Sequence, residues 1–354
     1  MEKSALDTLF ASLERPGKLT AGEWRALFQA FQGDVKELIF ERARKTALHS
    51  FGNRIYLRAL IEISSYCRNN CHYCGLRSAN PLAARYRLCK DEILGCCDRA
   101  ADAGFNTFVL QGGEDPLQGD EWLADVVASI KQRYPDKAVT LSVGERTLHG
   151  YELLRNAGAD RYLLRHETAD AWHYSHLHPE RMSLENRMRC LYDLKRLGYQ
   201  VGAGMMIGSP RQEVEHLVKD LMFLDELQPH MIGVGPFIPA KGTPFANEPA
   251  GSVDDTLVVI ALLRLRFPNA LIPATTALAT LCSDGTERAV LAGANVVMPN
   301  VTPPAVRNKY AIYDNKKSWG SESVEQLAML SDKLDKMGYV IDFGRGDYDE
   351  GGWF

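Results

Sequence analysis

The chain has no apolar run approaching the roughly 18 residues that a membrane-spanning helix needs. It also has no clustered basic stripe and too few cysteines for a disulfide framework. The first absence excludes a helical membrane protein. The second, with a formal net charge of −4, removes the electrostatic reason to expect a nucleic-acid partner. The third matters because eight cysteines in 354 residues cannot staple a fold of this size, so clustered thiols point instead to metal or catalysis in a reducing cytoplasm. Met1 to Arg15 carries Glu2, Asp7 and Glu14 with no apolar stretch, which fits neither a secretory signal nor a transit peptide. No internal repeat or low-complexity tract interrupts the chain, and no glycine-rich dinucleotide loop follows the first strand-like run, as an open doubly wound sheet would want.

What is present is an ordinary globular composition, 45% hydrophobic and 24% charged. Apolar residues at helical spacing (Leu6, Leu9, Phe10 and Leu13, then Val35, Leu38, Ile39 and Ala43) predict an N-terminal helical cap over residues 1–50. Beyond it, short β-branched or apolar runs alternate with amphipathic helices. Eight such runs are expected: Tyr56–Ile63, Thr107–Leu110, Ala138–Val143, Arg161–Arg165, Val201–Ile207, Met231–Phe237, Leu271–Thr275 and Asn295–Met298. Gly104, Gly158, Gly198 and Gly293 stand just before four of them, where a helix C-terminus favours positive φ. Eight parallel strands alternating with helices predict an α/β fold, a complete (β/α)8 barrel spanning residues 51–313. Residues 314–354 would add a C-terminal helix, Ser323–Met337, and an acidic, glycine-rich tail that frays. Polar clusters fall at the strand C-terminal ends, the face on which such barrels build their sites.

Directly after the first run stands Cys67-Arg-Asn-Asn-Cys71-His-Tyr-Cys74. A C-x3-C-x2-C loop can wrap a cubane, each thiolate reaching a different iron and leaving the fourth iron open to a chelating ligand. A structural zinc site would want a fourth Cys or His, and His72 lies between two of the ligands, badly placed to complete one tetrahedron. Buried apolar packing is the other reading, and the flanking Arg68, Asn69 and Asn70 oppose it. Cys96 and Cys97 lie mid-helix and read as packing residues.

The motif resembles that of the radical S-adenosylmethionine (SAM) superfamily, with Tyr73 as the aromatic residue before the last cysteine, and Gln111-Gly-Gly-Glu114-Asp-Pro116 resembles its Gly-Gly-Glu segment. Longer strings make the chain similar, within that superfamily, to the HydE family of [FeFe]-hydrogenase maturases: Tyr73-Cys-Gly-Leu-Arg77, Arg85-Tyr-Arg87, Ala159 through Thr168, Gly235-Pro-Phe-Ile-Pro239, Ile272-Pro-Ala-Thr-Thr276 and Met298-Pro-Asn300. The resemblance implies one [4Fe–4S] cluster on Cys67, Cys71 and Cys74. It implies that SAM is held by Tyr73, Gly112, Gly113, Glu114, Ser142, Glu167 and Arg187, with Glu167 on the ribose and Arg187 on the methionine carboxylate. A carboxylate can accept from both ribose hydroxyls, and a guanidinium can grip a carboxylate through two parallel bonds.

It further implies a substrate pocket of Thr140, Arg165, Thr275, Thr276 and Met298, to which Ser142 also contributes. Thr140 and Thr275 can equally be plain β-branched strand residues, and His72 and His166 read as structural. The implied activity is reductive cleavage of SAM during assembly of the hydrogenase diiron site, on a cysteine-bound iron carbonyl cyanide precursor. An electron donor and other hydrogenase maturases would be the partners. Absence of cysteine after Cys282 predicts a single cluster. Methylornithine synthase and biotin synthase share barrel and motif and are alternative activities for a related enzyme with another small substrate, although biotin synthase would need auxiliary-cluster cysteines that have no counterpart here. A non-catalytic iron–sulfur carrier would not need the residues assigned to SAM.

Overall fold

A computed structural model describes residues 3–31, 35–317 and 324–349. Its strands are β1 (Arg54–Leu57), β2 (Ala59–Ser64), β3 (Thr107–Gly112), β4 (Ala138–Ser142), β5 (Arg161–Leu163), β6 (Gln200–Ala203), β7 (Met206–Ile207), β8 (Met231–Ile232), β9 (Gly235–Pro236), β10 (Val296–Val297) and β11 (Val340–Asp342). All pairings among them are parallel. β2, β3, β4, β5, β6 and β8 lie side by side in that order. Residues 271–273 continue the ring through bridges from Leu271 to Met231 and from Pro273 to Val296. β10 pairs with β1, and Asn300 bridges to Leu60. Taking β1 with β2, β6 with β7 and β8 with β9 as single staves, the ring closes at eight, the complete (β/α)8 barrel that the alternation predicts. The seventh stave is held by single bridges, and Pro273, which has no N–H, cannot donate to a ladder there.

Period-two alternation sorts each stave. Ile61, Ile63, Phe108, Leu110, Val139, Leu141, Tyr162 and Leu164 turn outward into the main core beneath the helices. Their neighbours Leu60, Glu62, Gln111, Ser142, Leu163 and Arg165 turn inward. The fifth stave is broken between β6 and β7 at Gly204, whose φ is 152° and where a Cβ would lie 2.0 Å from the Gly233 carbonyl oxygen; only glycine allows the two staves to approach there. Gly104, Gly158, Gly198 and Gly293 all adopt positive φ.

The N-terminal helices Lys3–Glu14 and Lys36–Phe51 pack on the barrel helix Val253–Arg266, and Ala21–Ala30 packs on Val214–Leu227. Trp24, Leu27, Ile39 and Ala43 are buried, whereas Leu38 is exposed, one position off the apolar face that its spacing suggested. At the other end, residues 324–326 form a 3-10 turn leading into the helix Leu327–Asp335; Ser323, the expected start of the C-terminal helix, lies outside the described residues. The tail then departs from expectation. Up to residue 349 it is built into the barrel floor: β11 pairs with β1, Arg54 opposite Val340 and Tyr56 opposite Asp342.

Below the barrel, Arg161 reaches the Arg345 carbonyl at 2.7 Å and the Asp347 carboxylate at 2.5 Å. The Arg58 guanidinium donates to the Gly346 carbonyl at 3.2 Å, and Tyr348 N donates to Gln200 Oε1 at 3.1 Å. Burial alone would raise Asp347, but hydrogen bonds and charge from Arg345 and Arg161 outweigh it and hold the carboxyl at about 2. A depressed carboxyl stabilises the fold above its unfolded value of about 3.9 and loses that contribution as pH falls towards about 2. Asp347→Asn is therefore expected to lower the thermal midpoint by about 1–3 °C at pH 7. The difference from the unmodified chain should shrink as melts are repeated from pH 5 down to pH 3, where more of the native carboxyl's advantage is gone.

Candidate active site

The cysteine loop leaves β2 at the C-terminal mouth of the barrel and is tied down from several sides. The Arg85 guanidinium donates to the carbonyls of Ser65, Leu76 and Arg77. Asn80 Nδ2 donates to the Gly75 carbonyl at 2.8 Å, and Arg77 Nε to Asn70 Oδ1 at 2.6 Å. His72 does not face the cavity; its Nδ1 lies 2.9 Å from the His176 carbonyl and its ring meets Phe245 edge-on. The Tyr73 hydroxyl lies 3.3 Å from His178 Nε2.

Against this loop lies the turn after β3. Gly113 N donates to the Ser64 carbonyl at 3.2 Å. A Cβ on Gly113 would sit 2.2 Å from the Tyr66 carbonyl oxygen and 2.7 Å from Cys67 Cβ, so glycine is what lets the two backbones touch. Glu114 is spent on holding this junction: one carboxylate oxygen accepts from Arg68 Nε at 2.9 Å and the other from Glu145 N at 2.9 Å. Asp115 locks the same turn to Arg87 at 2.5 Å and to Ser64 Oγ at 2.5 Å.

Loop and barrel mouth enclose one cavity of about 330 Å³. Its wall includes Cys67, Cys71, Tyr73, Cys74, Gly112, Gly113, Glu114, Ser142, Arg165, Glu167, Arg187, Thr275, Thr276 and Met298. Of the residues expected from sequence only Thr140 is missing from it. Thr140 lies one inward position deeper on β4, buried, with a hydroxyl that finds no partner. Thr275 does reach the wall, and its hydroxyl is likewise unpartnered.

Charge inside the cavity is arranged in pairs. Arg165 binds Glu167 at 2.5 Å. Glu167 has φ of 66°, a left-handed backbone that costs a non-glycine residue about 1–2 kcal/mol. Such strain persists where the surroundings over-determine it, commonly at ligand sites. Arg187, buried, binds Glu145 Oε1 at 2.5 Å and the Arg165 carbonyl at 2.5 Å. His166 is fully buried, and burial, with the nearby Arg165 charge, lowers its pKa to about 3, so it is a neutral structural group.

Burial and the neighbouring Cys67 sulfur push Cys74 up to about 12, and burial raises Cys67 and Cys71 as well. Bare thiolates are disfavoured in such a place, and ligated iron would reverse that balance. Among the described residues no three His, Cys, Asp or Glu side chains converge tightly enough to hold a single metal ion. Three thiols of one short loop lining a common cavity are the donor set that a cluster with three cysteine-bound irons would need.

The family profile described as the Radical SAM superfamily matches residues 61–224. The HydE subunit of the [FeFe]-hydrogenase maturase from Thermotoga maritima is 46% identical over 280 residues, covering 79% of this chain and 80% of that protein. The chain belongs to the radical SAM superfamily. A 3-methylornithine synthase from Methanosarcina acetivorans is 31% identical over 301 residues, 84% of each chain. A methylornithine synthase crystal structure superposes with a TM-score of 0.82 at 29% identity, covering 94% of this chain and 97% of that one. The hydrogenase maturase HydG shares the fold at 21% identity, with a TM-score of 0.83 over 99% of this chain and 79% of that one. Radical SAM membership makes the protein an enzyme and implies a [4Fe–4S] cluster with SAM. No helix among the described residues is long and apolar enough to cross a membrane.

Several wall residues of this radical SAM site escaped the sequence. Glu62, Tyr310, Tyr313 and Lys316 line the cavity; Gln111 and Glu145, legible only as polar residues at strand ends and given no role, respectively line it and position Arg187. Glu62 did leave a signal, a single carboxylate at an inward position of the apolar stave Ala59–Ser64. Lys316 left none, since it lies in an aperiodic connection.

Proposed function

We propose that the protein reductively cleaves SAM and acts in assembly of the [FeFe]-hydrogenase diiron site, on a cysteine-bound iron carbonyl cyanide precursor. The observation that carries the reading is that three cysteines, the touching glycine turn, Glu167 and Arg187 share one cavity at the barrel mouth. Cys67, Cys71 and Cys74 would hold a single cluster; the other five cysteines lie outside the cavity wall. When bound, that cluster supplies an electron and an open iron position for the sulfonium cofactor.

The chain's own residues would do the rest. Gly112 and Gly113 offer backbone to the methionine end of SAM, and Tyr73, Glu114 and Ser142 complete its wall, Glu114 by fixing the turn. Arg187, oriented by Glu145, grips a carboxylate; Glu167 exchanges Arg165 for the ribose hydroxyls. Arg165, Thr275, Thr276 and Met298 form the substrate side, with Thr140 beneath. The unpartnered Thr140 and Thr275 hydroxyls support that side as polar ground still awaiting an acceptor or donor. Hydrogenase maturases and an electron donor are the partners, a reading supported by similarity to the HydE subunit.

Anaerobically reconstituted protein with a reductant is expected to convert SAM to 5′-deoxyadenosine and methionine, followed by chromatography; cluster binding without cleavage would mark a carrier. Omitting the protein from an otherwise complete hydrogenase activation mixture should abolish activation, and undiminished activation would remove the maturase reading. The 31% identity to 3-methylornithine synthase favours a second reading, a synthase of that kind. Formation of 3-methylornithine from a supplied amino acid by the reconstituted protein with SAM and a reductant, in the absence of any other maturase, would select it.

A further inference from the structure

Where the fifth-strand run Arg161–Leu163 leaves the barrel, its side chains keep alternating. Arg165 and Glu167 line the cavity, while His166 and Thr168 turn away from it and are fully buried. Behind them runs the barrel helix Val214–Leu227, where the His166 ring meets the Phe223 ring with centroids 5.0 Å apart. The same helix brings in Asp220, a carboxyl with no exposed surface. Asp220 Oδ1 accepts from Ala169 N at 2.5 Å and lies 3.8 Å from His166 Nε2. His166 Nδ1 in turn accepts from Gly204 N at 3.3 Å, which leaves the ring proton on Nε2, facing Asp220.

A fully buried acid needs a reason. Asp220 Oδ2 finds no partner among the described residues. Burial raises the group to about 8, so at neutral pH it is held mostly as the uncharged acid. Burying such a group costs stability unless its hydrogen bonds offset the loss of water. What Asp220 does supply is a bond to the amide two residues beyond Glu167. Glu167 has the φ of 66°, and a strained backbone persists only where its surroundings fix it. On the near side that fixing is visible: Glu167 N donates to the Gly204 carbonyl at 3.0 Å, and Arg187 holds the Arg165 carbonyl. On the far side Asp220 supplies it. The neighbouring tie, Lys219 to Asp170 at 2.6 Å, is made by a lysine more than half exposed, and Asp170 caps the helix that follows.

We infer that Asp220 is a positioning residue for Glu167: through the Ala169 amide it holds segment 165–169 in the backbone path that turns the Glu167 carboxylate into the cavity. The inference rests on the reading of Glu167 as the group that holds the SAM ribose, and adds to it a residue from outside the cavity wall. His166 is the neutral ring that seats the segment on the helix. Without the Asp220 acceptor, Ala169 N is left unpaired, Glu167 relaxes towards an ordinary negative φ, and its carboxylate leaves the ribose. The segment needs the acceptor rather than a charge, so Asn in place of Asp keeps the device.

The test is a double-mutant cycle on the full chain, reconstituted with its cluster, with cleavage followed against SAM concentration. Asp220→Ala is expected to raise the KM for SAM at least about tenfold with kcat changed less than about threefold, and Asp220→Asn to stay within about twofold of the parent in both. Glu167→Ala should raise KM at least as much as Asp220→Ala does. Adding Asp220→Ala to it should raise KM by no more than about a further twofold, because the second residue acts through the first. Additive losses, or an Asn variant as impaired as the Ala variant, would overturn the inference. So would an Asp220→Ala protein that no longer melts cooperatively, which would assign Asp220 to the fold at large. On the unmodified protein the Ala169 amide is expected to resist hydrogen exchange, and rapid exchange there would also overturn it. Should Glu167→Ala alone leave KM unchanged, the ribose reading fails and takes this inference with it; a Glu167 effect without coupling to Asp220 sinks the positioning role alone.

Discussion

The Cys71→Ser variant is expected to lose the iron–sulfur absorption and paramagnetic signals after anaerobic reconstitution and to cleave SAM at least about a thousandfold more slowly than the unmodified protein. Removing one of three ligands from a cluster with one open iron does not weaken an interaction; it removes the support on which every later step depends. The change is nearly isosteric, and the Cys71 sulfur lies 3.8 Å from Met182 Sδ. The melting midpoint of the apo-protein should therefore stay within about 2 °C of the parent. A variant that retained cluster and full activity would overturn the ligand assignment, and one that failed to melt cooperatively would point to a folding role for this thiol.

Gly113→Ala is expected to give the second-largest loss, about a hundredfold in SAM cleavage, with much of the fold retained. The added methyl carbon would stand 2.2 Å from the Tyr66 carbonyl oxygen, a contact that backbone on either side must relieve. Relief means moving the cysteine loop away from the β3 turn, and a displacement near 1 Å at a reacting site costs about that much. Gly112→Ala offers the comparison, because its nearest obstacle is Ile63 Cγ1 at 3.1 Å, the end of a side chain that can yield. Its loss should be at least about tenfold smaller. Equal losses in the two variants would mean that the close approach at Gly113 is not what sets the loop.

How far the sequence carried follows from the range of the forces involved. The staves could be read because alternation is local: Phe108, Leu110, Val139 and Leu141 announce their face within a few residues. The cysteine loop could be read because its spacing is itself the chemistry. The tail could not, since Asp347 finds Arg161 across 186 residues and nothing near position 347 records that partner. Its acidic, glycine-rich composition suggested fraying, yet Gly346 is needed where a Cβ would lie 2.8 Å from the Tyr56 ring. Glu114 shows a subtler limit. The Gly-Gly-Glu string located the residue in the cavity wall, but only the fold shows its carboxylate clasping Arg68 and Glu145 N there. Lys316 was invisible for the same reason as Asp347, while Leu38 shows periodicity misplacing a single residue on a helix that it otherwise describes.

The pairing of β11 with β1 bears on how the chain reaches this state during synthesis. The first stave leaves the ribosome nearly 300 residues before the strand that lies against it, with Arg54 waiting for Val340. Until that stretch emerges, Arg58 lacks the Gly346 carbonyl and Arg161 lacks the Asp347 carboxylate. The nascent barrel therefore carries two guanidiniums short of their final partners through most of translation, a period in which chaperone binding or a translational pause near residue 340 would have the most to protect.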